Sequence, residues 1–290
     1  MDYVRLTKPR SVLLLLIAAL AGMMVAKPGV PSMYLVVETL FAGALAAGGA
    51  NALNCYLDRD LDLRMSRTSG RPLPLGKLLP ARALLFGLAL SAVSVTIFAL
   101  GINWLSAVLA ACGIFYYVIV YTLWLKRASH WNVVIGGAAG ALPLLVGSAA
   151  ASGRIAPLPL WLGTAVLLWT PPHFWSLALL RRREYAAAGV PMLPVVRGES
   201  VTRRQILGYS VALFLTTLLL VPAGFAGPAF LLAALLLGAV LIFLAVRLMV
   251  TATDHAALRM YRYSIAYLAL LFISVILDRA SVWMPPRGVF

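Results

Sequence analysis

The chain has 290 residues, of which 62% are hydrophobic and only 11% are charged. A soluble globular domain carries about 25% charged residues, so this composition excludes an ordinary soluble enzyme and predicts an all-α polytopic membrane protein. The net charge of +15 does not indicate nucleic-acid binding, because no basic arm with interleaved aromatic residues is present. Basic residues that set membrane topology account for the excess.

Nine apolar runs, separated by charged or Pro/Gly-rich breaks, predict nine transmembrane spans. Each run is close to the roughly 20 residues that a helix needs to cross a bilayer. The third and fourth runs are separated only by residues 101–103, but together they are long enough for two spans. We expect a single transmembrane domain over residues 1–290, folded as a nine-helix bundle. The spans lie at about 11–27, 34–53, 82–101, 104–124, 132–151, 158–180, 206–223, 228–248 and 263–283.

The distribution of basic residues predicts the orientation. If the N-terminus is cytoplasmic, 20 of the 24 Lys and Arg residues fall on the cytoplasmic side, as the positive-inside rule requires. Nine spans then place the C-terminus outside the bacterial inner membrane. The run after Arg10 has no convincing cleavage site, so we interpret it as the first span and not as a signal peptide.

The run from Asn54 to Pro74, NCYLDRDLDLRMSRTSGRPLP, concentrates polar chemistry beside an apolar segment. Asn54, Asp58 and Asp62 are spaced four residues apart, so on a helix they share one face, whereas Asp60 points elsewhere. Oxygen ligands of this kind suit Mg²⁺, which proteins hold with one or two carboxylates plus substrate phosphates. The pattern predicts a metal site that consists of these three residues.

Three arginines follow the acidic residues. Arg64, Arg67 and Arg71 carry planar donor groups that suit phosphate oxygens. A solvated loop with weak local ion pairs is the alternative interpretation. Location favours the metal–diphosphate site, because ionisable residues near a membrane are costly and usually functional, and three of the nine acidic residues of the chain lie in this run.

A second polar region covers residues 169–198. Pro171 and Pro172 cannot donate backbone hydrogen bonds, so we expect them to break the sixth helix and open a cavity. His173 and Trp175 follow directly. For His173, a buried histidine with an ordinary hydrogen bond and a contact with a ligand are both consistent with the sequence.

Further candidates lie at the ends of the fourth and sixth spans. Arg181, Glu184 and Tyr185 mark the end of the sixth span, where an ion pair between Glu184 and a neighbouring arginine is the simpler alternative. Lys126 and Arg127 could reach a diphosphate or could serve only as topology signals. The two cysteines show no metal or redox spacing, and Cys112 is expected to be a small core residue.

These residues resemble the UbiA-like intramembrane prenyltransferases. The hallmark of that superfamily is Asn-x-x-x-Asp-x-x-x-Asp followed by Arg-Thr and Arg-Pro-Leu, which here are Asn54, Asp58, Asp62, Arg67-Thr68 and Arg71-Pro72-Leu73. The resemblance is closest to the heme-farnesylating branch, through YTLWLKR, GGAAGALP, PHFWSLAL and EYAAAGVPMLPVV. That branch usually has Asp where this chain has Glu184.

The resemblance implies a reaction in which heme b, farnesyl diphosphate and water give heme O and diphosphate, with Mg²⁺ as cofactor. Implied partners besides these substrates are membrane lipid and a heme-modifying or oxidase-assembly protein. Prenylation of an aromatic acid for quinone synthesis and a non-catalytic membrane carrier are the alternatives. The implied catalytic residues are Asn54, Asp58, Asp62, Arg67, Arg71, Glu184 and Tyr185. The implied substrate-binding residues are Arg64, Lys126, Arg127, His173, Trp175 and Arg181.

Overall fold

The computed structural model describes residues 1–283 of the chain, and their side chains up to residue 279. Over this range the secondary structure is helical, which confirms the all-α prediction. Two helical segments contain stretches with π-helical hydrogen bonding, here called π1 and π2. The elements are α1 (Asp2–Thr7), α2 (Pro9–Ala26), α3 (Met33–Leu57), α4 (Arg59–Leu63), α5 (Pro80–Ile97), π1 (Phe98–Ile102), α6 (Trp104–Phe115), π2 (Tyr116–Leu125), α7 (Lys126–Ala128), α8 (Asn132–Gly136), α9 (Ala138–Ser152), α10 (Pro157–Leu180), α11 (Arg182–Ala187), α12 (Leu193–Val196), α13 (Gly198–Leu218), α14 (Pro228–Thr251) and α15 (Asp254–Trp283).

Seven helical segments of the described chain are long and apolar enough to cross a membrane. The chain is therefore a multi-pass membrane protein. Helices α10 and α13 coincide with the other two predicted spans, but α10 contains internal prolines and α13 begins with charged residues. The count of nine spans stays a prediction. The seven segments are Pro9–Ala26, Met33–Leu57, Pro80–Ile102, Trp104–Ala128, Asn132–Ser152, Pro228–Thr251 and Asp254–Arg279.

Helix α10 lies in the centre of the bundle, where it packs against α9, α13 and α15, and α2 packs against α9 on the other side. The main hydrophobic core surrounds α10, with Leu162 and Trp175 fully buried in it. Many of the exposed apolar side chains, such as Phe41 and Phe243, project from the outer faces of the spans. In a bilayer, lipid covers such faces at no hydrophobic cost.

The α2–α9 contact depends on two glycines. A Cβ atom on Gly22 would lie 2.1 Å from the carbonyl oxygen of Leu144, and one on Gly147 would lie 2.0 Å from the carbonyl oxygen of Ala19. Each glycine therefore packs directly against the backbone of the partner helix. Close approach at small residues is the usual basis of helix association in membranes, where the hydrophobic effect contributes little.

The prediction that Pro171 and Pro172 break the sixth helix is wrong. Helix α10 runs without interruption from Pro157 to Leu180 and contains both prolines. Two prolines remove two backbone donors, but neighbouring helices and hydroxyl side chains support such segments in membrane helices. The hydroxyl groups of Thr170 and Ser176 add hydrogen bonds on either side of the proline pair, to the carbonyl oxygens of Val166 and Pro172 at 2.8 Å and 2.6 Å.

The prediction that Cys112 is a core residue is also wrong. The residue is exposed and lines an apolar groove of about 340 Å³ between α6, α9 and α10, together with Tyr116 and Leu160. A cysteine is small and apolar enough to face lipid or core equally well, so composition alone could not distinguish the two.

The short helix α1 packs against the end of α3 that carries the acidic motif. Its Leu6 is fully buried, and the carbonyl oxygen of Thr7 accepts a 3.0 Å hydrogen bond from Asn51. Lys8 connects α1 to α2 with a left-handed backbone, at φ 52°, a conformation that few residues other than glycine adopt. This sharp connection turns the Lys8 side chain back towards α3.

Candidate active site

Asn54, Asp58 and Asp62 lie on one buried face at the junction of α3 and α4. Backbone hydrogen bonds from Asp58 to Asn54 and from Asp62 to Asp58, at 2.9 Å and 2.8 Å, maintain the helical register across the junction. The three residues are only 3%, 1% and 3% exposed. The Asp60 side chain is 51% exposed and points away. The spacing argument for one shared face is confirmed.

Each residue of this face has a basic partner from a different segment. Lys8 donates to the amide oxygen of Asn54 at 2.5 Å, and Lys126 donates to a carboxylate oxygen of Asp58 at 2.5 Å. Arg71 pairs with Asp62 at 2.7 Å. Three cations therefore surround two buried carboxylates. The surplus of positive charge suits an anionic ligand.

Arg127 lies 4.0 Å from the other carboxylate oxygen of Asp58, but it pairs more closely with Asp60. Its guanidinium makes two hydrogen bonds to Asp60, at 2.7 Å and 2.9 Å, and one to the carbonyl oxygen of Leu57 at 2.7 Å. The pairing with Arg127 lowers the pKa of Asp60 to about 2. This ion pair is therefore intact above the ordinary aspartate pKa and is lost only as the pH falls through about 2. It ties α7 to the end of α3.

The π2 stretch carries hydroxyl groups to the same face. Thr122 is fully buried, accepts a hydrogen bond from the amide of Asn54 at 3.0 Å and donates to the carbonyl oxygen of Tyr117 at 2.8 Å. Tyr121 lies within electrostatic range of both Asp58 and Arg67. Wide helical turns of this kind are frequent at functional sites.

The second polar region approaches the first through Tyr185. This residue is 9% exposed, and both Arg67 and Tyr261 are close enough to act on its charge. Burial raises the pKa of the Tyr185 phenol. Tyr185 of the second polar region therefore lies near Arg67 of the first.

Glu184 divides its two carboxylate oxygens between different environments. One oxygen pairs with Arg181 at 2.9 Å, which matches the simpler alternative from sequence. The other oxygen is buried and has no hydrogen-bond partner in the described part of the chain. An unpaired buried carboxylate oxygen is costly, so this oxygen is available to a proton donor, a metal ion or a ligand.

His173 is held between two aromatic rings. Its imidazole stacks on Trp169 and on Tyr261, with ring centroids 4.4 Å and 4.9 Å away. The Nδ1 atom is 2.8 Å from the hydroxyl oxygen of Ser264. The residue is 8% exposed, and it faces α15 and not lipid.

Three other predicted site residues form no hydrogen bond or ion pair with this cluster in the described part of the chain. Trp175 is fully buried and packs edge-on against Tyr209 of α13, at 5.5 Å between ring centroids. Arg64 and Arg67 are exposed, and neither forms an ion pair or a hydrogen bond with another described side chain. Roles for Trp175 and Arg64 in substrate binding therefore stay predictions.

The donor set is suitable for a magnesium ion only in combination with a substrate. One carboxylate oxygen of Asp58 is buried and has no hydrogen-bond partner among the described residues. Asn54 and Asp62 add two hard oxygen donors on the same face. No group of three His, Cys, Asp or Glu side chains suited to a metal ion occurs in the part of the chain that the structure describes. Phosphate oxygens and water would have to complete the coordination, as is usual for Mg²⁺.

Lys8 and Thr122 are site residues that sequence reasoning did not identify. Lys8 lies 46 residues before Asn54 in the chain, among basic residues that the positive-inside rule already explains. Thr122 lies in an apolar span without a polar neighbour in sequence. The left-handed turn at Lys8 and the π-helical register around Thr122 bring them to the site, and neither feature has a clear sequence signal.

An all-helical membrane bundle with buried carboxylates facing basic groups at one end defines a polytopic membrane protein with an enclosed ionic site. The chain belongs to the UbiA prenyltransferase family, whose model matches residues 15–276.

Proteins from several bacteria are similar to this chain in sequence. The chain is 48% identical over 279 residues to the protoheme IX farnesyltransferase of Symbiobacterium thermophilum, covering 96% of this chain and 93% of that protein. It is 47% identical over 279 residues to the protein of the same name from Roseiflexus castenholzii, covering 96% of this chain. The chain spans about half the length, 52%, of the Roseiflexus relatives.

Solved structures share the fold at low sequence identity. A digeranylgeranylglyceryl phosphate synthase superimposes with a TM-score of 0.80 at 16% identity, over 97% of this chain and 98% of that one. A UbiA homologue from Archaeoglobus fulgidus, bound to GPP and Mg²⁺, gives a TM-score of 0.69 at 18% identity, over 95% and 99% of the two chains. The prediction of a UbiA-type helical bundle is confirmed.

Proposed function

We propose that this protein transfers the farnesyl group of farnesyl diphosphate to a vinyl group of heme b, with addition of water, to give heme O. The observation that carries the proposal is the 48% identity to a protoheme IX farnesyltransferase of nearly the same length. The enclosed ionic site supplies the matching chemistry, because its surplus positive charge suits a diphosphate.

The acidic face and its basic partners would bind the diphosphate. Asn54, Asp58 and Asp62 are the residues that would hold Mg²⁺, which acts as a Lewis acid and stabilises charge on a departing diphosphate. Arg67 is exposed and unpaired among the described residues, so its guanidinium is free to bind phosphate oxygens. When Lys8 and Arg71 leave their partners for the substrate, their charges would stabilise the same leaving group.

The reaction then requires a chamber that is apolar and poor in water. The carbon–oxygen bond of the farnesyl C1 atom breaks, and its electron pair leaves with diphosphate. The vinyl group of heme attacks the allylic cation and forms a carbon–carbon bond. Water adds to the resulting cation and loses a proton, for which the unpaired oxygen of Glu184 is a candidate acceptor. Tyr185 would separate the diphosphate site from the heme site.

His173 would lie in the heme compartment. His173 lies seven residues before the C-terminal end of α10. At 1.5 Å per residue, that places it about 10 Å along the helix from that end. Imidazole is a common ligand of heme iron. We propose that it contacts the heme as an iron ligand or as a polar neighbour.

Localisation and partners complete the proposal. Seven apolar helices support a membrane location, and the positive-inside rule favours a cytoplasmic N-terminus in a bacterial inner membrane. The active site then lies near the cytoplasmic face. A heme-modifying or oxidase-assembly protein would receive the product.

The test uses the purified full chain in lipid nanodiscs with heme b, farnesyl diphosphate and Mg²⁺. Mass spectrometry should detect heme whose mass has increased by one farnesyl group and one hydroxyl group. The product should not form with EDTA or without the diphosphate. Farnesylation of an aromatic acid in place of heme would contradict the proposal, and so would a folded protein that binds both substrates without reaction.

Lys8 offers a specific prediction within this proposal. We expect Lys8→Asn to raise the KM for farnesyl diphosphate about tenfold or more, because a hydrogen bond to a charged group contributes about 1.5–3 kcal/mol. Asparagine tolerates the left-handed backbone at this position. Steady-state kinetics at saturating heme measure the effect. Arg10→Gln, which removes an exposed cation two residues away, should leave the KM unchanged. An unchanged KM in Lys8→Asn would remove Lys8 from the site.

A further inference from the structure

The hydrogen bonds around His173 determine which of its ring nitrogens carries the proton. Ser264 has a single hydroxyl proton, and two acceptors lie within reach of it. They are the carbonyl oxygen of Tyr261 at 2.7 Å and the Nδ1 atom of His173 at 2.8 Å. Only one of them can receive that proton.

The two possible arrangements differ in how many hydrogen bonds they satisfy. If Ser264 donates to Tyr261, then Nδ1–H of His173 donates to Ser264, and two hydrogen bonds form. If Ser264 donates to Nδ1, the proton of the neutral ring moves to Nε2, where no described residue accepts it. This second arrangement thus forms one hydrogen bond within the protein where the first forms two. The first arrangement is therefore favoured.

The surroundings of the ring also fix its orientation. Trp169 and Tyr261 stack on opposite sides of it at interplanar angles of 16° and 26°, so the ring cannot rotate without losing a stack. Trp169 also donates its Nε1–H to the carbonyl oxygen of Ser264 at 2.7 Å. Ser264 is thus bound to both aromatic neighbours and to the histidine itself.

We infer that Ser264 is a positioning residue that holds His173 as the Nδ1–H tautomer and presents the lone pair of Nε2 to the iron of bound heme. The inference rests on the proposed function, in that heme is the substrate of this compartment. In metal-binding histidines, the ring nitrogen that does not bind the metal usually donates a hydrogen bond, which orients the ring and increases its basicity. Loss of that hydrogen bond typically costs about 10–100-fold in metal affinity.

The experiment measures heme binding to the full chain in nanodiscs without farnesyl diphosphate, so that spectra are separate from turnover. Ser264→Ala should weaken heme binding about tenfold or more, shift the Soret band and lower the iron–histidine stretching frequency of the ferrous complex in resonance Raman spectra. Ser264→Thr retains the hydroxyl and should keep the parent frequency. Trp169→Phe retains the stack and should give a smaller shift than Ser264→Ala.

Ser176→Ala is the matched control. Ser176 is fully buried on the same helix as His173, but its hydroxyl donates only to the carbonyl oxygen of Pro172. Its removal should leave the heme spectrum unchanged.

The outcomes separate the inference from the proposed function. Loss of the iron–histidine band in His173→Ala, with parent spectra in Ser264→Ala, would overturn the positioning role alone. Parent spectra in both variants would overturn iron binding by His173 as well, while formation of farnesylated heme by the parent protein would still support the function. The inference is supported if the iron–histidine frequency shifts in Ser264→Ala and has the parent value in Ser264→Thr. A serine with only a structural role would not change that frequency.

Discussion

Asp58→Ala is expected to reduce turnover more than 100-fold while the protein stays folded in the membrane. Asp58 is the least exposed residue of the acidic face, at 1%, and one of its oxygens is buried without a hydrogen-bond partner among the described residues. Groups that stabilise charge in a transition state are worth about 100–1,000-fold in rate when one is removed. Formation of farnesylated heme, measured by mass spectrometry over a Mg²⁺ titration, gives the rate and its metal dependence.

Two further variants make this result interpretable. Asp58→Asn retains the volume of the side chain and a partner for Lys126, so loss of turnover in this variant cannot be attributed to a buried unpaired cation. Asp60→Ala removes an exposed carboxylate two residues away that pairs with Arg127, and its effect should be mild. Equal losses at positions 58 and 60 would contradict the shared-face argument.

The acidic face could be predicted because its spacing is local. Asn54, Asp58 and Asp62 share a face wherever the chain is helical, and the register survives even though α3 ends at Leu57 and α4 begins at Arg59. The multi-pass class could be predicted for the same reason, since apolar length indicates where a helix can cross a bilayer, and seven segments of the described chain are long and apolar enough to do so. Both predictions use information from fewer than 30 consecutive residues.

The parts that could not be predicted depend on distant contacts. Lys8 reaches Asn54 only because Leu6 and Thr7 dock α1 onto α3, 46 residues further along the chain. Continuity of α10 through Pro171 and Pro172 depends on packing from the neighbouring helices, which overrides the local effect of proline. The sandwich around His173 requires α15, 91 residues away. Tertiary packing determines all three.

The close contact between α2 and α9 at Gly147 is expected to control the stability of the bundle. Gly147→Ala should destabilise the protein by about 1–3 kcal/mol, the usual cost of adding a methyl group to a well-packed contact. The added Cβ would lie 2.0 Å from the carbonyl oxygen of Ala19 and 3.0 Å from the backbone nitrogen of Met23. Backbone atoms cannot rotate aside as a flexible side chain does, so α2 and α9 must separate. The midpoint of thermal unfolding in detergent, followed by size-exclusion chromatography, should fall.

Gly163→Ala is the matched control for this contact. Gly163 lies inside α10, also facing α9, but a Cβ there would meet the Cβ of Ala141 at 3.5 Å, which is ordinary van der Waals contact. Alanine favours a helix over glycine by about 0.5–1 kcal/mol, so this variant should be as stable as the parent or slightly more so. Replacement of glycine by alanine is thus expected to lower stability at position 147 of α9 and to keep or raise it at position 163 of α10. An equal shift in both variants would show that helix propensity, and not the close backbone contact of Gly147 with α2, determines the stability of the bundle.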